Sequence, residues 1–130
     1  MDRFPARQVD LSEVMAELFK SLAHPVRVRV LELLAAAEGT VPVPDLLAST
    51  GMEASHLSQH LSLLRRHHLV RSTRRGSQVF YELSSPHIPD LLAAARELLL
   101  NVLQTNQEHL AWSRAQTAPA PPSRADGRDV

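Results

Sequence analysis

The chain contains no cysteine. Disulfides, thiolate metal ligands and cysteine nucleophiles are therefore excluded. Only four glycines occur in 130 residues, which leaves few places for a backbone to close on a nucleotide, and there is no Gly-rich phosphate loop. No Ser/His/Asp arrangement comes with the turn chemistry that a nucleophile needs. An enzyme is not expected. No stretch approaches the about 18 consecutive apolar residues of a membrane helix, and the start, MDRFPARQVD, lacks an apolar signal core. A cytoplasmic protein without membrane association is expected. The length suits one domain with a core large enough to fold without staples.

Net charge is lacking too, with 14 Lys and Arg against 14 Asp and Glu. The balance is uneven along the chain. Residues 1–50 carry five cations against seven carboxylates and residues 83–130 four against five. Residues 51–82 carry five Arg against Glu53 and Glu82, a net of +3, together with four His. Positive charge confined to one segment has the form of a nucleic-acid footprint, or of a solvated face.

That segment, from Met52 to Tyr81, organises the rest. Leu57, Leu61 and Leu64 fall at i, i+4 and i+7, which predicts a helix over 53–67. Its opposite face carries Ser55, His56, Ser58, Gln59 and Ser62. Small side chains that donate and accept make a poor core and a good surface for base edges. Leu69–Thr73 and Val79–Leu83 read as two strands joined by Arg74, Arg75, Gly76 and Ser77, two cations beside a glycine able to take positive φ.

Upstream, residues 1–10 are expected to form a flexible arm. Leu11, Val14, Met15, Leu18 and Leu22 share one face of a first helix, with Asp10 or Ser12 as cap. His24-Pro25 breaks the chain, and Pro25 suits the first turn of a second helix over Val26–Ala37, with Val26, Val30, Leu33, Leu34 and Ala37 inward. That helix is expected to stop before Gly39. Val41–Pro44 is extended, Asp45–Ser49 is a short third helix, and Thr50-Gly51-Met52 has the length of a helix-turn-helix turn. After Ser84-Ser85-Pro86, a helix of roughly 28 residues and about 42 Å runs to Arg114. Its apolar set is wider than a domain of this size covers, so with the first helix it is the expected dimer interface. The folded domain is expected over 11–116 and a disordered, Pro-rich tail over 117–130.

The runs Phe19–Leu34 (FKSLAHPVRVRVLELL), Ser55–Arg65 (SHLSQHLSLLR) and Leu69–Leu83, with Arg75-Gly76 and Phe80-Tyr81-Glu82-Leu83, resemble the ArsR/SmtB family of dimeric winged-helix regulators. The resemblance covers about residues 11–105. It implies a mostly α chain with a small β-hairpin, a winged helix-turn-helix in the order helix, helix, helix, helix, strand, strand, helix. The fourth helix would enter the major groove of double-stranded DNA, and the hairpin would reach the backbone or minor groove. The implied DNA-binding residues are Ala54, Ser55, His56, Ser58, Gln59 and Ser62 on the helix and Arg74, Arg75 and Ser77 on the wing. The family's usual mode is a repressor that occupies an inverted repeat as a homodimer. The alternative is a winged helix that docks a partner or co-regulator protein through its last helix.

Many members of the family sense metals. Pro42-Val43-Pro44-Asp45 stands where a thiolate site would need cysteines, and Ser85, His87, Leu98 and Asn101 stand where a last-helix site would need carboxylate and imidazole. No cofactor is expected. The remaining candidate set for a divalent cation such as nickel or cobalt is His87, Glu97 and His109 of antiparallel helices. His24, His67 and His68 are expected to be structural. His56 and His60 are expected near phosphate, so DNA affinity should weaken as pH rises through the histidine range.

Overall fold

The structure, a computed structural model, describes residues 10–117. The expected arm, apart from Asp10, and the expected tail, apart from Thr117, lie outside the described residues. The element order is α1 (Leu11–Leu22), α2 (Pro25–Ala37), β1 (Val41–Pro42), α3 (Val43–Thr50), α4 (Ala54–Arg66), β2 (Val70–Arg75), β3 (Gln78–Leu83) and α5 (His87–Thr117). This is the expected winged-helix order with one addition, the two-residue strand β1.

Local chemistry explains most boundaries. Asp10 caps α1 by accepting from the Ser12 amide at 2.9 Å. His24 caps α2, its Nδ1 accepting from the Val26 amide at 3.1 Å, and Pro25 fills the first turn. α2 ends at Glu38, which itself takes the left-handed conformation (φ 58°) in place of the neighbouring Gly39. α3 ends at Gly51 (φ 68°), whose amide bonds the Leu47 carbonyl at 2.9 Å. Gly51, Met52 and Glu53 alone then separate α3 from α4.

Burial follows the leucines. Leu57, Leu61 and Leu64 of α4 are buried with Val30, Leu31 and Leu34 of α2, Leu46 of α3, Leu69 and Val70, Tyr81 of β3, and Ile88 and Leu92 at the start of α5. The face of α2 differs from the expected one: Leu31 is fully buried, Leu33 is half-buried and Ala37 is exposed. The α2 sequence is apolar nearly all round, so period alone does not choose its inward side. The sheet order is β1-β3-β2 and all pairing is antiparallel. Val41 lies opposite Tyr81 and Val70 opposite Leu83, so both outer strands are set against β3.

Contacts divide the chain after Leu92. The unit up to Leu92 holds the core. Among the described residues the second unit is the remainder of α5, where Leu98, Leu99, Leu100, Val102, Leu103, Leu110 and Trp112 are all exposed. In the first unit, Leu11, Val14, Met15 and Phe19 of α1 are exposed as well, and Leu18 and Leu22 are half-buried.

α4 ends in a Schellman motif. The Leu69 amide bonds the Leu64 carbonyl and the His68 amide the Arg65 carbonyl, both at 3.0 Å, with His68 at φ 63°. A residue with a Cβ is strained in this conformation. His68→Gly should therefore raise the unfolding free energy by about 1 kcal/mol, measured as a higher urea midpoint at unchanged slope.

Candidate nucleic-acid interface

α4 places its residues by one constraint. With Leu57, Leu61 and Leu64 at 0%, 2% and 0% exposure, the opposite face must point to water. Ala54, Ser55, His56, Ser58 and Gln59 are exposed there, while Ser62 is half-buried. Ser58 and Gln59 make no side-chain hydrogen bond among the described residues, so their donors and acceptors are open to an incoming ligand. Ser55 and His56 are engaged at the helix start: the Ser55 hydroxyl donates to Glu53 Oε1 at 3.3 Å, and His56 Nδ1 lies 3.7 Å from the same oxygen. Glu53, the N-cap position of α4, is a residue that sequence reasoning missed on this face. Its place before a helix start was the available signal, since the first turn of a reading helix meets base edges.

The wing is narrower than its sequence suggests. Arg74 and Arg75 belong to β2, opposite Val79 and Gln78, and the loop is only Gly76-Ser77. φ is positive at Gly76 (62°) and not at Ser77, the sign pattern of a two-residue II′ hairpin turn. As strand neighbours, the two arginines alternate in direction. The Arg75 guanidinium lies over the Phe80 ring, 5.0 Å from its centroid, a cation–π contact that holds the side chain along the hairpin. Arg74 is exposed and makes no side-chain hydrogen bond or ion pair among the described residues, as is Ser77.

His60 departs from its expected role beside phosphate. It is half-buried, its ring 4.3 Å from the His24 ring, and its Nδ1 is 3.3 Å from Arg27 Nη1. A guanidinium can only donate, so Nδ1 must be the lone-pair nitrogen and the ring proton sits on Nε2. Burial holds the His60 pKa below the usual imidazole value, and His24, Arg27 and His56 push in the same direction. Arg27 also donates through Nε to the Ser21 carbonyl at 2.7 Å and through Nη2 to the Lys20 carbonyl at 3.3 Å. One side chain thus ties the end of α1 to α4.

Relatives place the chain. It is 47% identical over 94 residues, 72% of its own length and 81% of the relative's, to Rv0081 of Mycobacterium tuberculosis, an uncharacterized HTH-type transcriptional regulator. The crystal structure of Rv0081 superimposes with a TM-score of 0.68 at 43% identity, covering 76% of this chain and 98% of that one. The chain belongs to the ArsR/SmtB family. A SmtB homologue of Synechocystis, a transcriptional repressor, is 37% identical over 83 residues, 64% of this chain and 61% of that protein. The winged helix-turn-helix domain of Mb0332 from Mycobacterium bovis, a possible ArsR-family regulator solved as a homodimer, has a TM-score of 0.61 at 28% identity, covering 76% of this chain and 86% of that one. No protein-family model matches the chain.

The metal positions of this ArsR/SmtB member are turned to structural use. Pro42 pairs with Phe80 in β1, and Val43 opens α3. Ser85 accepts from the His87 amide at 3.1 Å and so caps the start of α5. Leu98 offers no lone pair and Asn101 only an amide. These residues do not fit the family's thiolate or last-helix sites. Among the described residues no group of three or more His, Asp or Glu is assembled to hold a metal.

A stability consequence follows from His60. Its folded pKa lies below its unfolded value, so the unfolded chain takes up the proton first. That contribution to stability is intact above about pH 6.5 and is lost as pH falls toward the folded value. The urea midpoint should therefore fall on acidification from about pH 7 to 5.5, and His60→Asn should show a shallower fall.

Proposed function

We propose that this protein is a cytoplasmic, sequence-specific transcriptional repressor that binds an inverted-repeat operator in double-stranded DNA as a homodimer. The observation that carries the reading is the pairing of a locked leucine face on α4 with an opposite face whose Ser58 and Gln59 have no partner among the described residues. α4 reads base edges through Ser55, Ser58 and Gln59, with Ala54 allowing close approach and His56 and Ser62 at the margins. Arg74, with Ser77 beside it, meets phosphate, and Arg75 does so from its seat on Phe80.

The homodimer is supported by what the chain leaves exposed. Apolar residues on α5 between Leu98 and Trp112 cover more than half of the helix circumference, and α1 adds Leu11, Val14, Met15 and Phe19. A second copy, bringing its own α1 and α5, offers a matching surface for both. The homodimeric state of Mb0332 supports a homodimer here as well. Repression is supported by likeness to the Synechocystis repressor. No helix among the described residues is long and apolar enough to cross a membrane. The reading needs no metal, no cofactor and no catalytic step.

Selection from a random duplex pool tests it. An enriched inverted repeat is expected, with half-site centres about 34 Å apart or a multiple of that. No enrichment would overturn the reading and turn attention to a partner protein on α5. Arg74→Ala with Arg75→Ala should flatten the salt dependence by about one unit per lost phosphate contact on each protomer, across all sequences. Ser58→Ala or Gln59→Ala should instead cost about 1–3 kcal/mol on the selected site and relax the preference at one position.

A further inference from the structure

We propose that the Arg27–His60 contact is a positioning device that holds the DNA-reading helix to the end of α1, and that a proton on His60 releases it. The inference rests on the DNA reading above and adds to it a control. Arg27 satisfies the Lys20 and Ser21 carbonyls at the end of α1 and, with its remaining arm, reaches His60 Nδ1. This spans the helix that carries part of the exposed apolar face and the helix that carries the reading face. In a dimer, the link between those two helices sets the distance between the two reading faces, which half-site spacing must match.

The link has a chemical weak point. His60 Nδ1 takes part only as an acceptor, so protonation deletes the contact and sets an imidazolium against a guanidinium. His24 is in the same position, because its Nδ1 accepts from the Val26 amide. The charged and titratable groups around His60 are His24 and Arg27 from α2 and His56 from its own helix. From α1, Glu17 and Lys20 line a crevice with Leu63 of α4 and His67, which caps its end, and they pair with each other at 3.6 Å. Apart from Glu17, every one of these groups is cationic or becomes so on protonation, so little there stabilises a charged His60. The sign is therefore opposite to that expected of an exposed histidine near phosphate. His56, on the open face, gains affinity when protonated; His60 loses it.

Because the two act in opposite directions, wild-type binding alone does not separate them, and a comparison does. The experiment follows affinity of the full chain for its selected duplex at fixed salt, from about pH 7.5 to 5.5, for wild type and His60→Asn. The Asn Oδ1 accepts from Arg27 and does not titrate; His60→Gln serves if the first variant does not fold. Wild type is expected to lose about three- to ten-fold more affinity than the variant over this range. Ring nitrogen NMR shifts of wild-type His60 should report the Nε2-protonated form, titrating below the usual imidazole range. Parallel pH profiles, or a proton on Nδ1 at neutral pH, would overturn the proposal. If neither protein binds any selected duplex, the DNA reading fails, and the nitrogen shifts still decide whether the contact exists.

Discussion

Leu57, Leu61 and Leu64 are almost wholly removed from water on one side of α4, and turning that helix about its axis would expose leucines at about 1.5–3 kcal/mol each. The penalty fixes which residues face outward. Serine, glutamine and histidine stand on the open side because no other orientation keeps the leucines dry. Everything proposed for recognition depends on this commitment. The short turn from α3 and the Schellman motif at His68 fix the two ends of the helix, and the apolar seam fixes its rotation.

The charge distribution makes sense on the same frame. A chain with no net charge has no long-range attraction for a polyanion, so a grip on DNA must come from cations placed where phosphate arrives. In the reading proposed above, the hairpin supplies these through two adjacent strand residues of opposite direction. Arg75 gives up freedom to stack on Phe80, while Arg74 is left open. Glu53 at the start of α4 sets a carboxylate beside Ser55 and His56, within 3.3 Å and 3.7 Å of them.

Elsewhere the molecule joins its helices in two ways. The core of the first unit is apolar and indifferent to pH. The junction of α1, α2 and α4 is polar, built on one guanidinium that fills two carbonyls and one imidazole. Such a contact is directional, so it adds a set distance and angle to the rotation that the leucines fix. It is also conditional on the protonation state of its acceptor, which an apolar seam is not.

Much of this was legible in the chain itself. The leucine stripe of α4, the glycine-tipped hairpin, the proline-started α2 and the long apolar α5 each rest on signals within a few residues, and each formed with ends shifted by a few residues at most. The absent cysteines and the replaced metal positions were equally plain. What the chain could not announce depends on residues far apart in sequence. β1 is two residues long, one of them Pro42, and exists only because Tyr81 and Phe80 lie opposite. Among the described residues Glu38 and His68 take positive φ without being glycine, where a local rule looks for glycine. His60 looked like a neighbour of His56 on the open face; it turns inward because α2 brings His24 and Arg27 to it across 36 and 33 residues of chain. Periodicity determines which face is apolar, since it is a property of neighbours. Which polar group finds a partner is decided only when distant segments meet.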